Sequence, residues 1–336
     1  MSANYLDPAP LRIVNDQGQV QFGKFAGAVD CIDWSGLSTP YQRSAVWRYF
    51  HHKQWQYVAL STERLFCGVA IVDVGWINTA FVYVFDRARR TMLADISQDG
   101  IPGLTARLNS HPAHGAASHF RFAGKSMAFA HDQSQQAFSL RVQCGELHID
   151  AKIDASRNAD NLLAIGEVAQ GSVHATLKSP GLALDGVVHV AGETFSLHGG
   201  VASFDHSNGF LARETAWRWA SAHNLEMGFN LQAGYFGSNE NAMWLDGKLI
   251  ALGAAHFEFD DQQALAPWHI YTDDGLLDLH FHPEGCRSEN KNLLVAASRY
   301  RQPIGCFSGF LKVNKDAAPR RVEQLVGVTE DHFSRW

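Results

Sequence analysis

A chain of 336 residues with 46% hydrophobic and 18% charged side chains can build one large or two medium cores, and is too apolar for extended disorder. Its formal charge of -6 offers nucleic-acid phosphates no broad attraction, and no basic, aromatic-interleaved stretch supplies one locally. Nucleic acid is therefore disfavoured as a partner.

From the first residues onward, neither a basic leader nor an apolar core is visible, so the cytoplasm is the expected location. Cys31, Cys67, Cys144, Cys286 and Cys306 are scattered and never spaced Cys-x-x-Cys, and read as reduced thiols. Cys31 sits between Asp30 and Asp33, which would raise its pKa and weaken it as a nucleophile. A short helix is predicted over 42–51, where Tyr41, Ala45, Arg48 and His52 share a face. The segment 65–85 is apolar over about the 20 residues of a membrane span. Asp73, Asn78 and Thr79 interrupt it, however, and its β-branched and aromatic content predicts two buried strands joined near Gly75–Asn78 rather than a span.

Strand signals dominate the remainder: short runs of Val, Ile, Phe, Tyr and Trp broken by Gly, Asp and Asn. The clearest cover 54–61, 67–74, 80–85, 138–153, 187–190 and 194–197, then 225–231, 243–252, 255–259, 269–272 and 276–282. Asp246-Gly247 and Asp274-Gly275 predict two-residue type I′ hairpins, because Asp-Gly supplies the positive φ angles that such turns need. A turn at Asp274-Gly275 sets Ile270 opposite Leu279 and Trp268 opposite Phe281, with Tyr271–Asp278 and His269–His280 on the reverse face. A slip of one residue would mix apolar and polar faces, so the pattern itself supports the register. Many antiparallel strands with little helix over this length predict an all-β fold of two tandem barrels. The Gly-rich middle of the chain places the boundary near residue 185, giving 1–185 and 186–336.

The candidate chemistry lies in the last third. Asp205-His206, with Gly209 after it, is followed by Trp217 and Trp219, which share one side of an extended segment while Arg218 takes the other. A carboxyl among apolar rings has a raised pKa and can act as a general acid at neutral pH, and aromatic faces stabilise a nearby cation. Asn239-Glu240-Asn241 offers a second acid flanked by two amides, in a pattern that equally suits a turn. Glu214, between Arg213 and Arg218, reads first as a salt-bridged acid. His256 and Glu258 on one strand, and Asp278, His280 and His282 on another, alternate as metal ligands would. An exposed strand face explains that alternation equally well, and no metal is expected. Gly-x-Gly-x-x-Gly, the phosphate-binding loop and the Gly-x-Ser-x-Gly elbow are all missing, which disfavours nucleotide-driven and serine-hydrolase chemistry.

The run Trp217-Arg218-Trp219, Gly228-Phe229-Asn230-Leu231, Asn239-Glu240-Asn241, Trp244 to Lys248, Pro267-Trp268 and Asp274-Gly275 resembles the bacterial family called domain of unknown function 2804. So do the tail residues Glu330-Asp331-His332 and Arg335-Trp336, and Ile71 to Gly75 in the first half. That family is distantly similar to carotenoid 1,2-hydratase and AttH-like proteins, a group that includes plant-defence-compound hydratases and some fungal cyclases. The resemblance implies two lipocalin-like barrels, a hydrophobic tunnel near their junction, and acid-assisted addition of water to an alkene. This chain departs from the hydratase pattern at Ser207-Asn208 and by adding Asn239-Glu240-Asn241. On the hydratase reading, Asp205, His206 and Glu240 carry out the chemistry on a small isoprenoid or lipid-like molecule. Glu214, Trp217, Trp219, Asn230, Asn239, Asn241 and Trp268 hold that molecule, and no cofactor is needed. The alternatives are a carrier that binds the same kind of ligand without chemistry, and a cyclase or isomerase on the same architecture.

Overall fold

The computed structural model describes residues 4–156, 159–293 and 296–336. They form two large, almost entirely antiparallel sheets with one short helix, Ala45–His51, among the described residues. Ser44 caps that helix by accepting a hydrogen bond from the Trp47 backbone N–H at 3.3 Å, and the chain is extended again at His52. The helix therefore begins three residues later than its periodicity predicts.

The first sheet runs to Phe210 and branches at one strand, Gly200–Phe210. Along one edge this strand pairs throughout with His52–Ser61. Along the other, Gly200 to Ala202 pair with Leu182–Val190, while Asp205 to Gly209 pair with Val173–Lys178. The strand thus serves a barrel with its first part and a side branch with its last. Beyond His52–Ser61 come Leu65–Asp73 and Asn78–Asp86, so the apolar segment 65–85 is two strands as predicted. No helix among the described residues is long and apolar enough to cross a membrane. The 138–153 segment is the hairpin Ala137–Cys144 with Leu147–Asp154.

Strand alternation sets the packing. Val58, Leu60, Phe204 and Leu177 point into the first barrel with Phe129, Leu140 and Ile149, whereas Tyr57 and Ala59 point outward. The second sheet begins at Glu214–His223, and its two edge strands, Lys248–Ala251 and Ala255–Glu258, are separated in the chain by only residues 252–254. A sheet whose opposite edges are joined by so short a link has to curl onto itself. Its interior is filled by Phe229, Leu231, Trp268, Leu279, Phe281 and Phe307. Between the barrels, Tyr57, Phe66, Tyr83 and Phe85 of the first pack against Trp219, Ile304 and Val328 of the second. Each large apolar side chain buried in this seam contributes about 1.5–3 kcal/mol.

Both Asp-Gly positions turn the chain. Asp246 (φ 51°) and Gly247 (φ 78°) make the expected type I′ turn, with Leu245 opposite Lys248. At the other site only Gly275 has a positive φ, so the turn differs in type, yet Ile270–Leu279 and Trp268–Phe281 pair as predicted. The change of sheet falls between Phe210 and Glu214, not near residue 185. The glycines of the middle segment shape hairpins inside the first sheet, with Gly192 and Gly199 at positive φ beside the short strand Glu193–Ser196.

Candidate active site

Register brings together residues far apart in sequence. Lys178 lies directly opposite Asp205 on the neighbouring strand, and Asp205 lies opposite Tyr57 on the strand beyond. All three face the seam. The Lys178 ammonium donates to Asp205 Oδ2 at 2.7 Å and stands 3.5 Å from Glu240 Oε2. Lys178, Asp205 and Glu240 are all buried. They line a cavity of about 110 Å³ with Trp217 and Trp219, Tyr57 and Gln232. A second cavity of about 180 Å³ adjoins it, sharing Val72, Phe81, Tyr300, His332 and Trp336. Trp219 also presents its ring to the ammonium, 5.8 Å from the centroid.

One cation cannot neutralise two buried carboxylates. Burial pushes the Asp205 carboxyl above its ordinary pKa, and Lys178 only partly offsets this. Glu240 is raised in the same way, by burial first and by Asp205 in addition, against the same lysine. Burial pulls Lys178 down, but Asp205 and Glu240 outweigh it and hold its pKa above the usual lysine value. With all three charged the cluster is one unit negative in a poorly solvated place, and one shared proton makes it neutral. Asp205 Oδ1 is the natural seat of that proton, because this oxygen is buried with no hydrogen-bond partner while Oδ2 is held by the lysine.

The surroundings fix the walls. The Trp219 indole donates to Asn230 Oδ1 at 2.8 Å, and Asn230 Nδ2 donates to the Glu240 carbonyl at 2.8 Å, so one amide orients both the ring and the acid's backbone. Trp217 donates to Glu330 Oε1 at 2.8 Å, and Gln302 donates to the other Glu330 oxygen at 2.9 Å. Asn241 accepts from the Gln232 backbone N–H at 2.7 Å and donates to the Gly253 carbonyl at 2.9 Å. Among the described residues, the Asn239 amide bonds the Phe236 carbonyl in the same turn. Asn230, Asn239 and Asn241 therefore frame the site rather than line its cavity.

Three expectations are corrected. His206 does not join Asp205: neighbours on a strand face opposite ways, and His206 is buried on the barrel side, 3.2 Å from Gln56 Oε1. Burial pulls its pKa down to about 4, so the ring is neutral. Trp268 lies in the second barrel's interior, stacked on Phe259 at 3.7 Å between centroids, away from the cavity. Glu214 is exposed at the start of its strand. Trp217 and Trp219 do share the cavity side, with Arg218 exposed behind them. The sequence reading missed Lys178, Tyr57, Gln232, Tyr300 and Gln302, which come from four strands, Tyr300 and Gln302 sharing Ala296–Leu311. The one local hint was a lysine ending the strand Val173–Lys178, which is buried along its whole length.

The alternating polar faces of the second barrel point outward or lie at its surface. His256, Glu258, His280 and His282 are exposed and Asp278 is half-buried. His269, Asp278 and His280 bring potential ligand atoms within 4.8 Å of one another. Both His269 nitrogens are already engaged, by Asp278 at 2.9 Å and Glu258 at 3.3 Å, as in a surface ion-pair network. Cys31 is a free thiol whose pKa is raised by burial, then by Asp33 and Asp30, as its sequence neighbours imply.

Two curled, largely antiparallel sheets with a polar cluster in their seam give the fold of a tandem lipocalin-like barrel protein. The chain belongs to the family described as domain of unknown function (DUF2804), whose model matches residues 8–336. No curated protein sequence matches it. Among solved structures it is similar to a putative AttH from Nitrosomonas europaea, with TM-score 0.53 and 12% identity, over 89% of this chain and 96% of that one. It is also similar to kievitone hydratase from Nectria haematococca, with TM-score 0.52 and 8% identity, over 100% and 98%. A third likeness is to CghA bound to Sch210972, with TM-score 0.59 and 10% identity, over 98% and 97%. At these identities the likeness establishes the fold.

Proposed function

We propose that the chain is a hydratase-type enzyme that adds water to an alkene of a small, largely apolar isoprenoid or lipid-like molecule held in the seam. The observation that carries this reading is a buried carboxyl, Asp205, with one oxygen fixed by Lys178 and the other unpartnered beside an aromatic-walled cavity. In the proposed step the Asp205 proton passes to one alkene carbon and the π pair forms the new C–H bond. The other carbon becomes cationic, faced by Trp217 and Trp219. Water forms the C–O bond, and its surplus proton returns to the carboxylate pair. Lys178 and Glu240 set how readily Asp205 gives up and regains the proton. His206, on the far side of the strand, has no part in this scheme. Besides the substrate and water, the step uses only side chains of the protein.

Similarity to a kievitone hydratase supports a water-adding reading of this architecture, without indicating the substrate. A carrier role is the second reading, supported by Lys178 pairing with both acids, which favours their ionised forms. The test is to identify by native mass spectrometry the molecule that copurifies, then incubate it with the protein in heavy-oxygen water. Label appearing in the product with wild type but not with Asp205→Asn supports hydration. An unlabelled, unchanged molecule supports the carrier.

A further inference from the structure

Two buried amides sit two residues apart on the strand Met227–Gly234, hence on the same face. Asn230 bonds at both ends of its side chain, to the Trp219 indole and to the Glu240 carbonyl. Gln232 is only 2% exposed, and neither its Oε1 nor its Nε2 has a hydrogen-bond partner. Its backbone is tied by Asn241, and the residue lies opposite Trp219 in register, so the side chain is presented to the cavity shared with Lys178, Asp205 and Glu240. Buried amides in folded proteins are paired as a rule, because an unpaired donor and acceptor away from water each carry a desolvation cost. Tight packing of hydrocarbon would have been served by leucine or methionine at this position. An amide held by its backbone in the lining of an aromatic cavity, with both polar atoms buried and unpartnered, is instead matched to a group that completes it.

We propose that Gln232 reads the polar end of the ligand, and that this end carries a carbonyl beside an N–H or O–H donor, as in a primary amide or an enolised dicarbonyl. The carboxamide is planar, with an acceptor and a donor side by side, so its complement is a planar group with the donor and acceptor exchanged. A plain hydrocarbon or an ester cannot satisfy both atoms. This inference takes the seam cavity of the reading above as the binding site and names the polar class of its ligand, without depending on water addition.

The test uses cinnamamide and methyl cinnamate, which share the cinnamoyl group and differ in whether its carbonyl carries an NH2 donor or an O-methyl group. Isothermal titration calorimetry of the full chain is expected to give about tenfold tighter binding of the amide, the reverse of their hydrophobic order. With Gln232→Met, which keeps the side-chain length, the ratio falls to about one or favours the ester. Equal affinities in wild type, binding of neither ligand, or a preference that survives Gln232→Met overturns the proposal. Thermal melting without ligand is the second readout: removing an unpaired amide should raise the Tm. A lowered Tm means that Gln232 is paired within the free protein, which also overturns the proposal. Neither readout measures turnover, so a failed hydration assay and a failed binding assay remain distinguishable.

Discussion

The interior of the second barrel and the seam between the barrels are both sealed by aromatic rings, yet they are built on opposite rules. Inside the barrel, Trp268, Phe281 and Phe307 belong to one cluster of buried apolar side chains. In the seam, Trp217 and Trp219 use their indole N–H groups to hold Glu330 and Asn230 around a lysine and two acids. The difference teaches that burial alone does not locate a function. Incompletely paired buried polarity that lines one shared cavity, as at Asp205 and Gln232, separates a site from a core.

That contrast can be broken most directly through the barrel interior. Trp268→Ala should cost about 3–5 kcal/mol of stability by denaturant unfolding, while the folded fraction keeps its ligand affinity. Weakened binding in a fully folded variant would erase the distinction. Asp205→Asn should do the reverse, lowering turnover of the copurifying molecule by about 10²–10⁴ with little change in melting temperature. The alkaline side of the rate profile sharpens the assignment. Activity needs a protonated Asp205 and is lost as pH rises through that raised pKa, and Lys178 holds the pKa down. Lys178→Gln should therefore move the alkaline limb to higher pH, whereas a limb that stays in place would leave the lysine without an electrostatic role.

Smaller effects test the residues the structure sets aside. His206 is neutral when folded, with its pKa pulled down from 6.5 to about 4. The unfolded chain takes up a proton there that the folded one refuses, so stability is lost as pH falls from 6.5 toward 4. His206→Gln should flatten that part of the stability profile without shifting the pH dependence of turnover. Glu214→Ala, at an exposed strand end, should change stability by no more than about 0.5 kcal/mol and leave activity intact.

The elements were legible where a period of two or an Asp-Gly turn was strong, as at 54–61, 67–74 and the register of Trp268 to Tyr271 against Asp278 to Phe281. Strands such as Lys125–Asp132 and Ala117–Phe122 escaped notice because lysine, histidine and arginine dilute their apolar runs. Within the site, Asp205, Glu240, Trp217 and Trp219 could be nominated because each stands in a locally unusual polar or aromatic cluster. Lys178 could not, since its meaning comes from lying across the ladder from Asp205, which only the pairing of two strands creates. Proximity along the chain misled at His206, where one residue is half a pleat, and at Trp268, where a tryptophan fills a core.

The strand Gly200–Phe210 is the last of the first sheet, and Glu214–His223 opens the second. Severing the chain between them would give one fragment Lys178 and Asp205 and the other Glu240, Trp219 and Gln232. Neither piece would hold a whole pocket, so reconstitution of the two would be reported by the return of ligand affinity itself. The protein is in this sense a built-in split sensor, whose signal exists only when both barrels are docked.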